Sequence, residues 1–211
     1  MNEIMTGKIC IFGGTFNPPH MAHKHMAEKV LEEFGFDRII FMPTGNSYLK
    51  KQVLDAHKRL EMVTLFCDTN PLFDVSDYEV KTEGPTYTYK TLSSLRDENP
   101  GAEFYFLLGE DSLRYMENWI HPEIIFECAS IIAVRRDDQG SFINKDDARI
   151  YEEVVDNLKN KFDAGIFSVT FNEDISSSKI RESFKAGDGD SVRHMLTKEV
   201  YEYIIKERLY V

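Results

Sequence analysis

An α/β fold built on a doubly wound, mostly parallel sheet is what the sequence predicts, on two observations. Short apolar runs rich in β-branched and aromatic residues alternate along the whole length with segments whose apolar residues recur at helical spacing. No linker, internal repeat or low-complexity tract divides the 211 residues. Residues 1–211 are therefore expected to form one domain, with a helical C-terminal portion from about residue 176.

Residues 8–12 (KICIF) read as the first strand, stopped by Gly13-Gly14; residues 21–34, with Met26, Val30 and Leu31 at helical spacing, are the helix after it. Residues 38–42 (RIIFM), ended by Pro43, are the second strand. A loop runs to about Val53, and a helix follows around residues 57–67 with Leu60, Val63 and Leu65 or Phe66. Residues 73–80 fit a strand and residues 87–95 a helix. The run 103–108 (EFYFLL) is a strand ending at Gly109, with Asp111 placed to cap a short helix. Residues 130–134 (SIIAV) are another buried strand and lead into Arg135-Arg136. Residues 148–162 carry Tyr151, Val154, Val155, Leu158 and Phe162 on one helical face, and residues 166–171 are the last strand. Residues 178–185 and 198–209 are the closing helices, and the polar stretch 137–147 is expected to be a surface loop.

Composition narrows the function. The chain has 25 Lys and Arg against 36 Asp and Glu, a net charge of −11, which disfavours nucleic acid as a partner because phosphate-backbone affinity comes from many basic contacts. No apolar run approaches the roughly 20 residues of a membrane helix, and no basic stretch followed by an apolar core opens the chain, so no membrane association and a cytoplasmic location are expected. Cys10, Cys67 and Cys128 stand far apart without ligand spacing and read as reduced thiols.

Ligands of such sheets bind beyond the carboxyl ends of the strands. After the first strand comes Gly13-Gly14-Thr15-Phe16-Asn17-Pro18-Pro19-His20-Met21-Ala22-His23. Glycines admit backbone N–H groups close to a phosphate, and a helix N-terminus adds partial positive charge. His20 and His23, three apart, share a helix face and can donate to one anion; surface histidines and zinc ligation are the alternatives, the latter lacking further ligands at suitable spacing. The second segment, Ile175-Ser176-Ser177-Ser178-Lys179-Ile180-Arg181, opens a helix with three hydroxyls that can cap it or meet phosphate oxygens. Arg181 sits on the first turn, where a cation opposes the helix dipole unless it serves an anion.

GGTFNPPHMAH near the start, LLGEDS with Trp119 in the middle and ISSSKIRE near the end, in that order, resemble the signatures of the nicotinate-nucleotide adenylyltransferase family within the HxGH nucleotidylyltransferase superfamily. The resemblance spans residues 8–209 and implies a Rossmann-like nucleotidylyltransferase fold. Asn17 stands where the family typically has Asp, Ala22 where it has Gly, Ser178 where Thr is usual, and Leu49 precedes Lys50 where His-Lys is frequent.

The activity so implied is transfer of the adenylyl group of ATP to nicotinate mononucleotide, giving nicotinate adenine dinucleotide and pyrophosphate, in NAD biosynthesis. Its nucleophile is already an ionised phosphate, so positioning and charge neutralisation suffice. The resemblance assigns His20, His23 and Arg181 to catalysis, with Mg²⁺ held mainly by substrate phosphates. It assigns Gly13, Gly14, Thr15, Phe16, Gly109, Asp111, Ile175, Ser177 and Ser178, with the catalytic three, to ATP binding. It assigns Lys50, Thr88, Asp111, Trp119 and Arg135 to the mononucleotide, Trp119 stacking on the pyridine ring and Thr88 near its carboxylate. From composition alone, Trp119 could equally be core and Asp111 a helix cap.

Other acceptors for the same chemistry are nicotinamide mononucleotide, phosphopantetheine and flavin mononucleotide; a non-catalytic nucleotide-binding regulator is a further alternative. A dinucleotide-binding oxidoreductase would want G-x-G-x-x-G after the first strand, which is missing. A class I aminoacyl-tRNA synthetase shares the histidine motif, but 211 residues leave little room for an RNA-binding part.

Overall fold

The computed structural model describes residues 4–45, 53–135 and 145–211, apart from the side chains of residues 145 and 146. The strands are β1 (Thr6–Gly14), β2 (Arg38–Pro43), β3 (Phe73–Val75), β4 (Gly101–Gly109), β5 (Ser130–Arg135) and β6 (Ile166–Thr170). They form one sheet in the order β3-β2-β1-β4-β5-β6, the doubly wound topology expected. Helices α1 (Met21–Phe34), α2 (Ala56–Cys67), α3 (Tyr78–Lys81), α4 (Thr88–Glu98), α5 (Glu110–Tyr115), α6 (Pro122–Cys128), α7 (Lys145–Phe162), α8 (Ser177–Lys185) and α9 (Lys198–Lys206) alternate with them. The chain divides into two compact units, Met1–Phe12 with Tyr87–Asn172, and Gly13–Thr86 with Glu173–Val211.

In the first unit β1 pairs with β4, β4 with β5 and β5 with β6, all parallel, setting Ile9 opposite Phe104, Leu107 opposite Ile132 and Val134 opposite Val169. Ile9–Phe12, Phe104–Leu108 and Ile131–Val134 are buried residue after residue, as strands covered on both faces must be. Burying each such side chain contributes roughly 1.5–3 kcal/mol. β6 is the edge, and its Phe167 is exposed. The buried face of α7 is Tyr151, Val155 and Leu158, at offsets of four and seven residues.

In the second unit β2 pairs in parallel with β3, and Phe41 gathers the rings of Phe16, Phe66 and Phe73 at centroid distances of 5.6, 5.2 and 5.1 Å. Helix α1 ends where Gly35 turns left-handed, φ 65°, and donates its N–H to the Leu31 carbonyl. Asp55 caps α2 by accepting from the His57 and Lys58 amides. Lys58 pairs with Glu207 and Tyr203 donates to Glu61, tying α2 to α9 and the turn after it.

Several local expectations need correcting. The strand expected over 73–80 stops at Val75: Ser76 Oγ accepts the Tyr78 amide, and α3 begins. Asp111 does not cap α5; Gly109 holds that extended position, and Asp111 lies on the first turn, where its charge suits the dipole. Helix α6 was not anticipated. His121 enters it left-handed at φ 53° and Pro122 occupies its first turn, where a missing N–H costs nothing. Helix α9 ends at Lys206 rather than residue 209, and Arg208 follows at φ 50°. Of the stretch 137–147, residues 137–144 lie outside the described residues, and 145–147 already belong to α7.

Candidate active site

The second unit carries the histidine segment. The Thr44 amide donates to the Gly14 carbonyl, fixing the end of β1. Phe16 is left-handed, φ 47°, which folds its buried ring back until a Cβ on Gly14 would lie 2.8 Å from Phe16 Cζ. Glycine at 14 is thus what lets that ring seat. His20 is the extended N-cap of α1 and His23 its third residue. The two imidazoles stack at 3.7 Å between centroids and 24° between planes, and Phe16 meets His23 edge-on at 5.0 Å.

The His20 amide donates to His23 Nδ1 at 3.2 Å, so in the neutral ring the proton sits on Nε2. Burial first, and His20 second, push the His23 pKa well below the ordinary histidine value. His23 is therefore a neutral N–H donor at neutral pH. His20 is itself 5% exposed, so an anion meeting this pair meets it largely desolvated.

The start of α8 braces the same segment. Ser176 caps the helix by accepting the Lys179 amide, Ser177 Oγ donates to the Pro18 carbonyl at 2.9 Å, and Ser178 Oγ accepts from Arg181 Nη2 at 3.2 Å. Arg181 Nη1 donates to the Asn17 carbonyl at 2.8 Å. With five N–H donors, Arg181 holds the loop and keeps hydrogens for a ligand. Ile175 is half-buried just before the helix.

Two residues that sequence reasoning missed complete this arrangement. Arg59, 2% exposed, donates to the carbonyls of Leu54, Thr15, Thr44 and Gly45 at 2.6–3.2 Å, joining the segment after β1 to that after β2. A signal existed: Arg59 occupies the same helical stripe as Val63 and Phe66, and a cation at a core-facing position demands partners. Tyr210 donates to Asn17 Oδ1 at 2.7 Å, a contact no local pattern announces. Lys50 lies outside the described residues.

In the first unit, Gly109 ends β4 with open space where a Cβ would stand, although its φ of −75° suits any residue. Asp111 is exposed on the next turn. Arg135 ends β5; its Nε donates to Glu110 at 3.2 Å, and its guanidinium lies 4.0 Å over the Tyr151 ring, whose hydroxyl bonds Ser168 at 2.7 Å. Arg114 pairs with Glu110 and Asp147. Glu110 and Tyr151 were not read in the sequence as partners of Arg135, because only the register of β4 against β5 brings Gly109 beside Val134.

Trp119 follows a short 3₁₀ turn, Met116–Asn118, and is half-buried rather than in the core. Thr88 is the first residue of α4. Tyr89 beside it meets His121 edge-on at 4.8 Å, so the start of α4 and the Trp119 segment are neighbours. Among the described residues no group of three His, Cys, Asp or Glu could hold a metal ion, and no helix is long and apolar enough to cross a membrane.

Comparison with known proteins agrees with this layout. The cytidylyltransferase-like family model matches residues 11–183. A probable nicotinate-nucleotide adenylyltransferase of Lachnoclostridium phytofermentans is 39% identical over 207 residues, covering 97% of this chain and 99% of the relative. One from Clostridium botulinum is 34% identical over 206 residues, with 95% and 97% covered. In fold, the chain is similar to the nicotinic acid mononucleotide adenylyltransferase of Plasmodium falciparum solved with NaAD, at TM-score 0.75, 22% identity and 97% of both chains. It is similar too to a putative nicotinate-nucleotide adenylyltransferase of Vibrio parahaemolyticus, at TM-score 0.64, 22% identity, and 98% and 96% covered. Near-full-length identity above a third, over a chain whose strand ends carry the stacked histidines and the serine-rich helix start, places this protein in the nicotinate-nucleotide adenylyltransferase family.

Proposed function

We propose that this enzyme transfers the adenylyl group of ATP to nicotinate mononucleotide in NAD biosynthesis. The observation that carries the reading is the 39% identity, over 207 residues, to a relative named for that reaction. A phosphate oxygen of nicotinate mononucleotide attacks the α-phosphorus of ATP. The bond from that phosphorus to the bridging oxygen breaks, and pyrophosphate leaves with the electron pair. No proton need be removed from the nucleophile, which is ionised at neutral pH.

The protein's task is then to align the phosphates and offset their charge. His23, neutral with its proton on Nε2, and His20 stacked on it are suited to the ATP phosphates at the N-terminus of α1. Ser177, Ser178 and Arg181 at the start of α8 add hydroxyl and guanidinium donors, and Gly13, Gly14, Thr15, Phe16 and Ile175 form the backbone around them. The open space at Gly109 supports close approach of a nucleotide there, with the exposed Asp111 available to ribose hydroxyls.

For the acceptor, the half-buried Trp119 offers a face to the pyridine ring, and Thr88 with the first amides of α4 offers donors to its carboxylate. Arg135 and Lys50 are the cations assigned to the mononucleotide phosphate. Mg²⁺ entering with ATP supplies further neutralisation. We assign its coordination mainly to the substrate phosphates. We place the enzyme in the cytoplasm, which suits its unpaired cysteines. Pyrophosphate release with ATP and each mononucleotide in turn tests the reading: turnover with nicotinate mononucleotide is expected, and none with any acceptor refutes it.

A further inference from the structure

We infer that Tyr210 is a positioning residue for adenylyl transfer, its hydroxyl holding the loop that carries His20 and His23 through a hydrogen bond to Asn17. The inference rests on the reading of that histidine pair as the phosphate site.

The loop from Thr15 to Pro18 is held at Thr15, Asn17 and Pro18 by side chains from elsewhere in the second unit. Arg59 takes the Thr15 carbonyl, Arg181 the Asn17 carbonyl and Ser177 the Pro18 carbonyl. Those three bonds all go to backbone. The bond from Tyr210 to Asn17 Oδ1, at 2.7 Å, holds a side chain of the loop and therefore fixes the orientation of the residue three before His20. Asn17 is only 6% exposed, so water is a poor substitute for a lost partner.

The backbone beyond α9 is shaped to deliver this hydroxyl. Arg208 and Tyr210 both adopt left-handed conformations, φ 50° and 65°, which non-glycine residues hold only where the surrounding structure over-determines them. Leu209 between them is buried, and its amide bonds the Ile204 carbonyl. The Tyr210 ring packs beside Phe184 of α8 at 6.5 Å, so one aromatic side chain contacts both the helix bearing Arg181 and the loop bearing the histidines. Its phenol lies in the positive field of Arg181 and Arg59, and burial keeps it protonated, a donor throughout the neutral range.

The test is steady-state turnover of the full chain carrying Tyr210→Phe, which removes one O–H and leaves the ring. Expected are a roughly tenfold fall in kcat, KM for both substrates changed less than about twofold, a nearly unchanged melting temperature, and displaced imidazole signals in the NMR spectrum. Asn17→Ala approaches the same bond from its other end. The double variant is expected to be no slower than the slower single one. Unchanged kcat, a fall explained by a lower folded fraction, or additive losses in the double variant overturn the positioning role. His23→Ala run in parallel separates the two claims: retained turnover there refutes the underlying reading, whereas lost turnover beside an undiminished Tyr210→Phe refutes only this inference.

Discussion

Side chain by side chain, the proposed site holds buried and half-buried polar groups against assigned partners. His23 illustrates the energetics. Its pKa is lowered in the fold while the unfolded ring titrates near 6.5, so between those values the unfolded state binds more protons. Stability therefore rises with pH through that interval, is fully present above about pH 6.5, and is lost as pH falls, at a limiting slope of about 1.4 kcal/mol per pH unit. Melting temperature should drop between pH 7 and pH 5, and less steeply in His23→Asn; parallel curves would show that this ring is not buried neutral. On activity, His20→Ala and His23→Ala should each cost on the order of 10²-fold in kcat with the fold intact. Near wild-type turnover in both would remove them from the mechanism.

Arg59 presents the complementary case, a buried cation with four carbonyl acceptors. Burial lowers its pKa below the ordinary guanidinium value but leaves it charged at neutral pH. Arg59→Met would fill similar space and orphan those carbonyls at about 1–3 kcal/mol each. With partial relaxation, a loss of roughly 3 kcal/mol or more is expected, which at this size corresponds to a fall of about 6–12 °C in melting temperature. A drop of under about 2 °C in a thermal melt would mean that these bonds contribute little net stability.

Among the elements, α4 and the Trp119 segment are the pair proposed for the pyridine ring. Tyr89 against His121 holds the first turn of α4 close to Trp119, and among the described residues no side chain caps that turn. Because Trp119 is the sole tryptophan, its emission reports this subsite directly. Nicotinate mononucleotide should quench it, and Trp119→Ala should weaken mononucleotide binding several-fold while sparing ATP, given about 0.5–1.5 kcal/mol for stacking beyond area. Amide donors there satisfy a carboxylate better than a carboxamide, so the acid should outcompete the amide in kcat/KM. Unquenched emission at saturating acid, with equal kcat/KM for both, would move the pyridine ring elsewhere.

Across the entire chain, the two compact units are threaded through one another in sequence, and β1 contributes Thr6–Phe12 to one and Gly13–Gly14 to the other. Neither can be cut out as one continuous segment. Melting followed by the fluorescence of Trp119, a residue of the first unit, should therefore coincide with melting followed by far-ultraviolet circular dichroism. Two separated midpoints would show that the units unfold independently.

The sequence by itself determined the alternation of strands and helices, because two-residue and 3.6-residue periods are local properties. Helix α1 was legible to both of its ends from the spacing of its apolar residues, and β2, β4 and β5 nearly so. It pointed as well to the strand ends proposed for the chemistry, since glycines, the histidine pair and the serine-rich helix start lie in short contiguous stretches. Local reading failed where weak, short segments were decided by their surroundings: β3 shrank to three residues and α6 appeared unannounced. What holds the loop before α1 is settled by contacts distant in the chain. Arg59 lies 44 residues from Thr15, Arg181 lies 164 from Asn17 and Tyr210 lies 193 from it. Such bonds depend on chain folding and not on local period, and each is enforced by the cost of leaving a buried donor or acceptor without a partner.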